Sequence, residues 1–148
     1  MDKNHELMIK RQKKTSLIVT SILRNGNEIL ILKRSPRTKT MQNLWAGISG
    51  YLEPSEDLLS RALIEIYEET KITGKELILY KILDQITVKI KPDTILLIQP
   101  FYFLSSTRTI LLNWEHTEFR WINSYDLDDY KFVPMLKEIL KFCFDRSN

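Results

Sequence analysis

The chain has 148 residues, 43% apolar and 28% charged, which is the balance of a soluble globular protein long enough to bury a core. One domain spanning residues 1–148 is expected. A net charge of +3 is too small to argue for specific nucleic-acid binding, and no apolar run approaches the roughly 18 residues of a membrane span.

The opening MDKNHELMIKRQKKT lacks the apolar core of a signal peptide. The single cysteine, Cys143, cannot make an internal disulfide, so a reducing cytoplasm is the expected compartment. Cys143 lies in an apolar run and reads as a small buried hydrophobe rather than a reactive thiol.

Residues 1–14 are polar and charged, an arm or a short edge segment. Ser16–Leu23 and Glu28–Lys33 are β-rich runs around Asn25-Gly26-Asn27, so residues 16–33 read as a hairpin. Arg34–Met41 is a loop, and Leu44–Ile48 a short extended piece leading into Ser49-Gly50. A helix follows Glu53-Pro54-Ser55-Glu56, with Ser55 as the expected N-cap. Leu58, Leu59, Ala62, Leu63 and Ile66 form its apolar face. Leu77–Ile90 and Thr94–Leu104 are apolar, β-branched runs separated by the turn Lys91-Pro92-Asp93. Phe119–Ile122 is a short strand. Val133–Phe144 is a closing amphipathic helix with Pro134 in its first turn. Strands, helix, strands, helix in that order predict a mixed sheet packed between helices.

The chemistry concentrates in the first helix. Glu65, Glu68 and Glu69 fall within five residues and largely off the apolar face. Glu65 and Glu69 stack one turn apart with Glu68 beside them. Like charges at this spacing repel by a few tenths of a kcal/mol per pair. A solvated acidic face is one explanation; the other is a hard divalent cation with oxygen ligands.

The wider spacing resembles the Nudix box of the Nudix hydrolase family. That pattern runs Gly, five residues, Glu, seven residues, Arg-Glu, an aliphatic, any residue, Glu-Glu, any residue, Gly, an aliphatic. Gly50, Glu56, Glu65, Ile66, Glu68, Glu69 and Ile72 fall on it. Asn43-Leu44-Trp45 also looks like the family's approach to the box.

The resemblance implies an α/β/α sandwich, a fold of the α/β (α+β) class, and an Mg²⁺- or Mn²⁺-dependent hydrolase. Such an enzyme cleaves the diphosphate of a small-molecule nucleotide by water attack on phosphorus. The substrate would be a nucleoside triphosphate or a dinucleotide-type diphosphate. Glu65 and Glu69 would be metal ligands, and Glu68 a ligand or the group orienting water. Glu56 and the main-chain carbonyl of Ser49 would give further support, with Glu53 nearby. Family members often take a base from a later loop, where Glu115 is preferred to Glu118; His116 reads as an exposed loop histidine. Arg34, Arg37 and Gly50 would meet the substrate, while Lys33 and Lys39 read as surface charge. Tyr51, Tyr102 and Phe103 are candidates for base stacking, each equally explained by packing. Homodimers are common in the family.

Two positions depart from the box: Ile64 replaces its arginine and Lys71 its second glycine. Arg61, one turn before Glu65, is placed to take over part of the arginine's task. At Lys71 either the lysine adopts the left-handed conformation, or the helix runs on and ends at Gly74. The departures also open a second class of function, a non-catalytic nucleotide-binding or regulatory module. A prenyl-diphosphate isomerase fits poorly, because such enzymes use a cysteine and extra histidines, and this chain offers only Cys143, His5 and His116.

Overall fold

The computed structural model describes residues 14–145. Apart from Lys14, the expected N-terminal arm lies outside the described residues. The elements in chain order are β1 (Lys14–Asn25), β2 (Glu28–Arg34), β3 (Trp45–Ala46), β4 (Ile48–Tyr51), α1 (Leu58–Thr70), β5 (Leu77–Ile82), β6 (Ile86–Lys91), β7 (Thr94–Ser105), β8 (His116–Ile122) and α2 (Leu136–Phe144). Short 3-10 turns occupy Gly74–Glu76 and Ser124–Asp129.

The described strands join in a mixed sheet whose spine is the parallel pair β1–β7, Lys14–Arg24 against Thr94–Leu104. Gly26 makes the expected turn at φ 61°, but the hairpin ladder is confined to Arg24↔Ile29 and Asn25↔Glu28. The strands then part. β1 gives the same edge to β4, pairing Ile18–Ser21 with Tyr51–Ile48, while β2 pairs with β3 and β8. The run Leu77–Ile90 is two strands rather than one: β6 pairs with the first half of β7 and β5 with the second. Gln99 holds the break by donating to the Leu83 carbonyl at 2.8 Å.

Side chains alternate along each strand, so both faces of the sheet are apolar. Ile29 and Ile31 of β2 join Ile22, Tyr102, Ile122, Leu136, Leu140 and Cys143 beneath α2. Leu30 and Leu32 join Val19, Leu23, Phe101, Phe103, Ala62 and Ile66 beneath α1. The architecture is α+β, with the sheet between the two helices. Cys143 is buried, and burial pushes its thiol up to about 12.

Two boundaries and the facing of one residue differ from the sequence expectation. The last helix begins at Leu136; Met135, at φ 72°, is its N-cap, and Pro134 lies before the first turn. β8 begins at His116 rather than Phe119, because its pairing with β2 continues past a bulge to Arg34. Leu59 is exposed rather than on the buried face of α1. No described helix is long and apolar enough to cross a membrane.

Candidate active site

The acidic helix is fixed at both ends by local chemistry. Asp57, not Ser55, is its N-cap: the carboxylate accepts from the Ser60 N–H at 2.8 Å and the Ser60 hydroxyl at 2.7 Å. Ser55 instead takes φ 69° in the preceding turn. The helix does not extend to Gly74. It ends at Thr70, and Lys71 adopts φ 67° with its N–H on the Tyr67 carbonyl at 2.9 Å. The lysine ammonium lies 5.0 Å from the Tyr67 ring centre.

Three environments separate the three carboxylates. Glu68 is exposed on α1. Glu65 is half-buried against Gly50 of β4, where a Cβ on the glycine would collide with the Glu65 carboxylate. Glu69 is only 1% exposed, contrary to its expected place off the buried face. It sits one turn beyond Glu65, on the flank that Ala62 and Ile66 press onto the sheet.

Arg61 supplies the positive charge that Ile64 cannot. Its guanidinium stands 3.6 Å from both Glu56 Oε1 and Glu65 Oε1. Glu56 Oε1 also accepts from the Glu53 N–H at 2.9 Å, so Glu56 ties the turn to the helix. Ile64 itself is exposed. Ser49 pairs with Thr20 across β4 and β1, and their hydroxyls are 2.9 Å apart.

Groups from distant sequence complete the cluster. Glu115 is half-buried just before β8, its N–H bonded to Asn113 Oδ1 at 3.0 Å and its carbonyl to the Ser35 N–H at 2.8 Å. Burial raises the Glu65 carboxyl, with Glu68 and Glu115 adding to the rise and Arg61 opposing it. Burial raises Glu69 well above the usual carboxyl range, with the charges of Glu115 and Glu65 adding to it and Arg34 pulling the other way. Arg34 is anchored at the end of β2 by Nη2 and Nε on the Thr40 carbonyl, at 3.0 and 3.3 Å. Arg37 is exposed, with its guanidinium 5.5 Å from the Trp114 ring centre. Glu118 is paired instead with Lys33 at 3.4 Å and Arg120 at 2.9 Å.

His116 is not an exposed loop residue. It is 5% exposed, and its Nδ1 lies 3.5 Å from Glu69 Oε1. Burial and the Arg34 charge lower it to about 4. The strand expected over Phe119–Ile122 extends back through Glu118 and Thr117 to His116, and a strand buries a side that a loop does not. Of the aromatic candidates, Tyr102 and Phe103 are buried in the core and only Tyr51 is exposed; Trp114 is a further exposed ring beside Glu115.

Among the described residues no group of three or more His, Cys, Asp or Glu side chains stands close enough together to hold a metal ion as arranged. The donors nonetheless suit a hard divalent cation. Glu69 Oε2 is buried without a hydrogen-bond partner, Glu65 occupies the space Gly50 leaves open, and the converging carboxyl groups supply oxygen.

The NUDIX domain model matches residues 13–142. No curated protein matches significantly. Among solved structures, the MutT protein from Methanosarcina mazei Go1 is 25% identical over 92% of this chain and 96% of its own, with a TM-score of 0.76. The NUDIX domain of Shewanella oneidensis NrtR, complexed with ADP ribose, is 15% identical with full coverage of both chains and a TM-score of 0.76. A C. elegans Ap4A hydrolase is 18% identical over 85% of this chain and 93% of its own, with a TM-score of 0.68. A box with all its carboxylates in place, an α+β sandwich and a domain match over nearly the whole length place this chain in the Nudix family.

Proposed function

We propose that the protein hydrolyses the diphosphate linkage of a small nucleotide, using Mg²⁺ or Mn²⁺. The observation that carries this is the convergence of Glu65, Glu69 and Glu115 with Arg34, around a buried carboxylate oxygen that has no partner. Glu65 and Glu69 would hold the ion, with Glu68 beside them and Glu56 and the Ser49 carbonyl in support. When bound, the ion neutralises phosphoryl oxygens and makes a bound water more acidic.

The chain's own groups do the rest. Arg34 and Arg37 offer guanidinium forks to the substrate phosphates. Glu115 accepts a proton from the attacking water, and Glu68 orients it. Water oxygen bonds to phosphorus, the bridging P–O bond breaks, and its electron pair leaves with the departing phosphate. The Ap4A and ADP ribose named for two structural neighbours support a nucleotide substrate, either a nucleoside triphosphate or a dinucleotide-type diphosphate.

The test is a panel of nucleotides with Mg²⁺ or Mn²⁺ in ¹⁸O-labelled water, which identifies the substrate and the phosphorus attacked. Glu68→Gln, Glu69→Gln and Glu115→Gln should each lose about 100-fold or more in turnover. Full activity in the Glu68 and Glu69 variants would overturn the assignment. Ile64 and Lys71 favour a non-catalytic nucleotide-binding module as a second reading, which tight nucleotide binding without turnover would select. The Arg61 pairs with Glu56 and Glu65 weigh against it.

A further inference from the structure

His116 has no part in the reaction above, yet it is buried against one of its central carboxylates. Its Nδ1 stands 3.5 Å from Glu69 Oε1 and has no hydrogen-bond partner, and neither has Glu69 Oε2. Two bare acceptors facing each other in a buried site would repel. With Glu69 ionised, as a metal ligand must be, the contact is favourable only if Nδ1 carries a hydrogen. A neutral imidazole provides this in one tautomer. A closure of about half an ångström brings the pair to an ordinary N–H···O distance, and such contacts commonly tighten when a site is loaded.

The mounting is rigid. His116 opens β8 opposite Arg34, beside the bulge at Lys33/Arg34, and the Ser35 N–H fixes the Glu115 carbonyl just before it at 2.8 Å. The imidazole is therefore held by the sheet while Glu69 is held by α1, so the contact spans the two elements.

We propose that His116 is a positioning residue for the metal centre: its Nδ1–H holds one oxygen of Glu69 and leaves the other, Oε2, free to bind the divalent cation. This rests on Glu65 and Glu69 being metal ligands. Hydrogen-bond partners of ligating carboxylates are worth about 10–100-fold in metal affinity.

The experiment is a titration of the full chain with Mn²⁺ alone, read by the electron paramagnetic resonance of the free ion. His116→Leu should bind Mn²⁺ about 10–100-fold more weakly than wild type. His116→Asn, whose amide nitrogen falls near the Nδ1 position, should restore most of the loss. His116→Gln places its amide near Nε2 instead and should not. Thermal melting in chelator separates this from a packing effect, since affinity should follow the donor position rather than the melting temperature. If His116→Leu fails to fold, the Asn and Gln variants carry the test between them. Unchanged affinity in the Leu or Gln variant overturns the proposal, as does an Asn variant no better than Gln. Absence of Mn²⁺ binding by wild type would instead overturn the metal assignment on which it stands.

Discussion

Single residues in this site are constrained by what they face. Gly50 has no side chain because the Glu65 carboxylate fills that space. Gly50→Ala should displace Glu65 and weaken Mn²⁺ binding by about tenfold or more, as read by a binding titration; unchanged affinity would mean that Glu65 is not a ligand. Arg61 is the charge that lets Glu56 and Glu65 lie half-buried side by side. Arg61→Ala should cost about 1–3 kcal/mol in chelator, measured by denaturant unfolding, because it strands partly buried charge. Saturating divalent cation should recover part of that loss. Glu69 gives a pH signature. Its raised carboxyl binds a proton more tightly in the folded chain than in the unfolded one, so its contribution to stability is full below about 4.5 and is lost as pH rises through the raised value. His116, lowered from 6.5 to about 4, works in the opposite direction, its contribution growing with pH between those two values. In chelator, the stability of wild type minus that of Glu69→Gln should therefore fall as pH is raised from 4.5. A flat difference would show that the buried carboxyl is not raised.

Elements show where sequence was sufficient and where it was not. The apolar spacing of α1 and the position of its glutamates were legible, because a helix is a local object. Its ends were legible only in part: Ser55 and Asp57 are both capping residues, and the turn geometry that gives Ser55 a positive φ is not written in composition. The burial of Glu69 and His116 was hidden, since both depend on α1 and β8 meeting across residues far apart in the chain. The hairpin of β1 and β2 was correct at its turn and wrong in its extent, because β4 competes for the same edge of β1. Lys71 offers a test at this scale. A lysine in the left-handed region costs about 1–2 kcal/mol that glycine does not, against about 0.5–1 kcal/mol from its exposed contact with Tyr67. Lys71→Gly should raise the melting temperature by about 2–4 °C and leave Mn²⁺ affinity unchanged. A lower melting temperature would show that the ammonium–ring contact outweighs the backbone strain.

At the scale of the molecule, the two faces of the sheet carry different duties. Both are densely apolar, and both helices pack on strands that the parallel β1–β7 pair holds together. Only the α1 face bears the carboxylates: Ile66 lies between Glu65 and Glu69 in sequence and is buried among Val19, Leu30 and Phe101. Leu140 is equally buried, but among the residues beneath α2. Ile66→Ala and Leu140→Ala should each cost about 2–5 kcal/mol in denaturant unfolding, since each opens a cavity in a packed core. Their effects on the site should part. Loosening α1 lets Glu65 and Glu69 drift from Gly50 and His116, so Ile66→Ala should also weaken Mn²⁺ binding. Leu140→Ala should retain wild-type affinity at temperatures where it remains folded. Equal loss of affinity in both would mean that the sheet transmits packing changes from one face to the other, and that the metal site depends on the whole sandwich rather than on the seating of one helix.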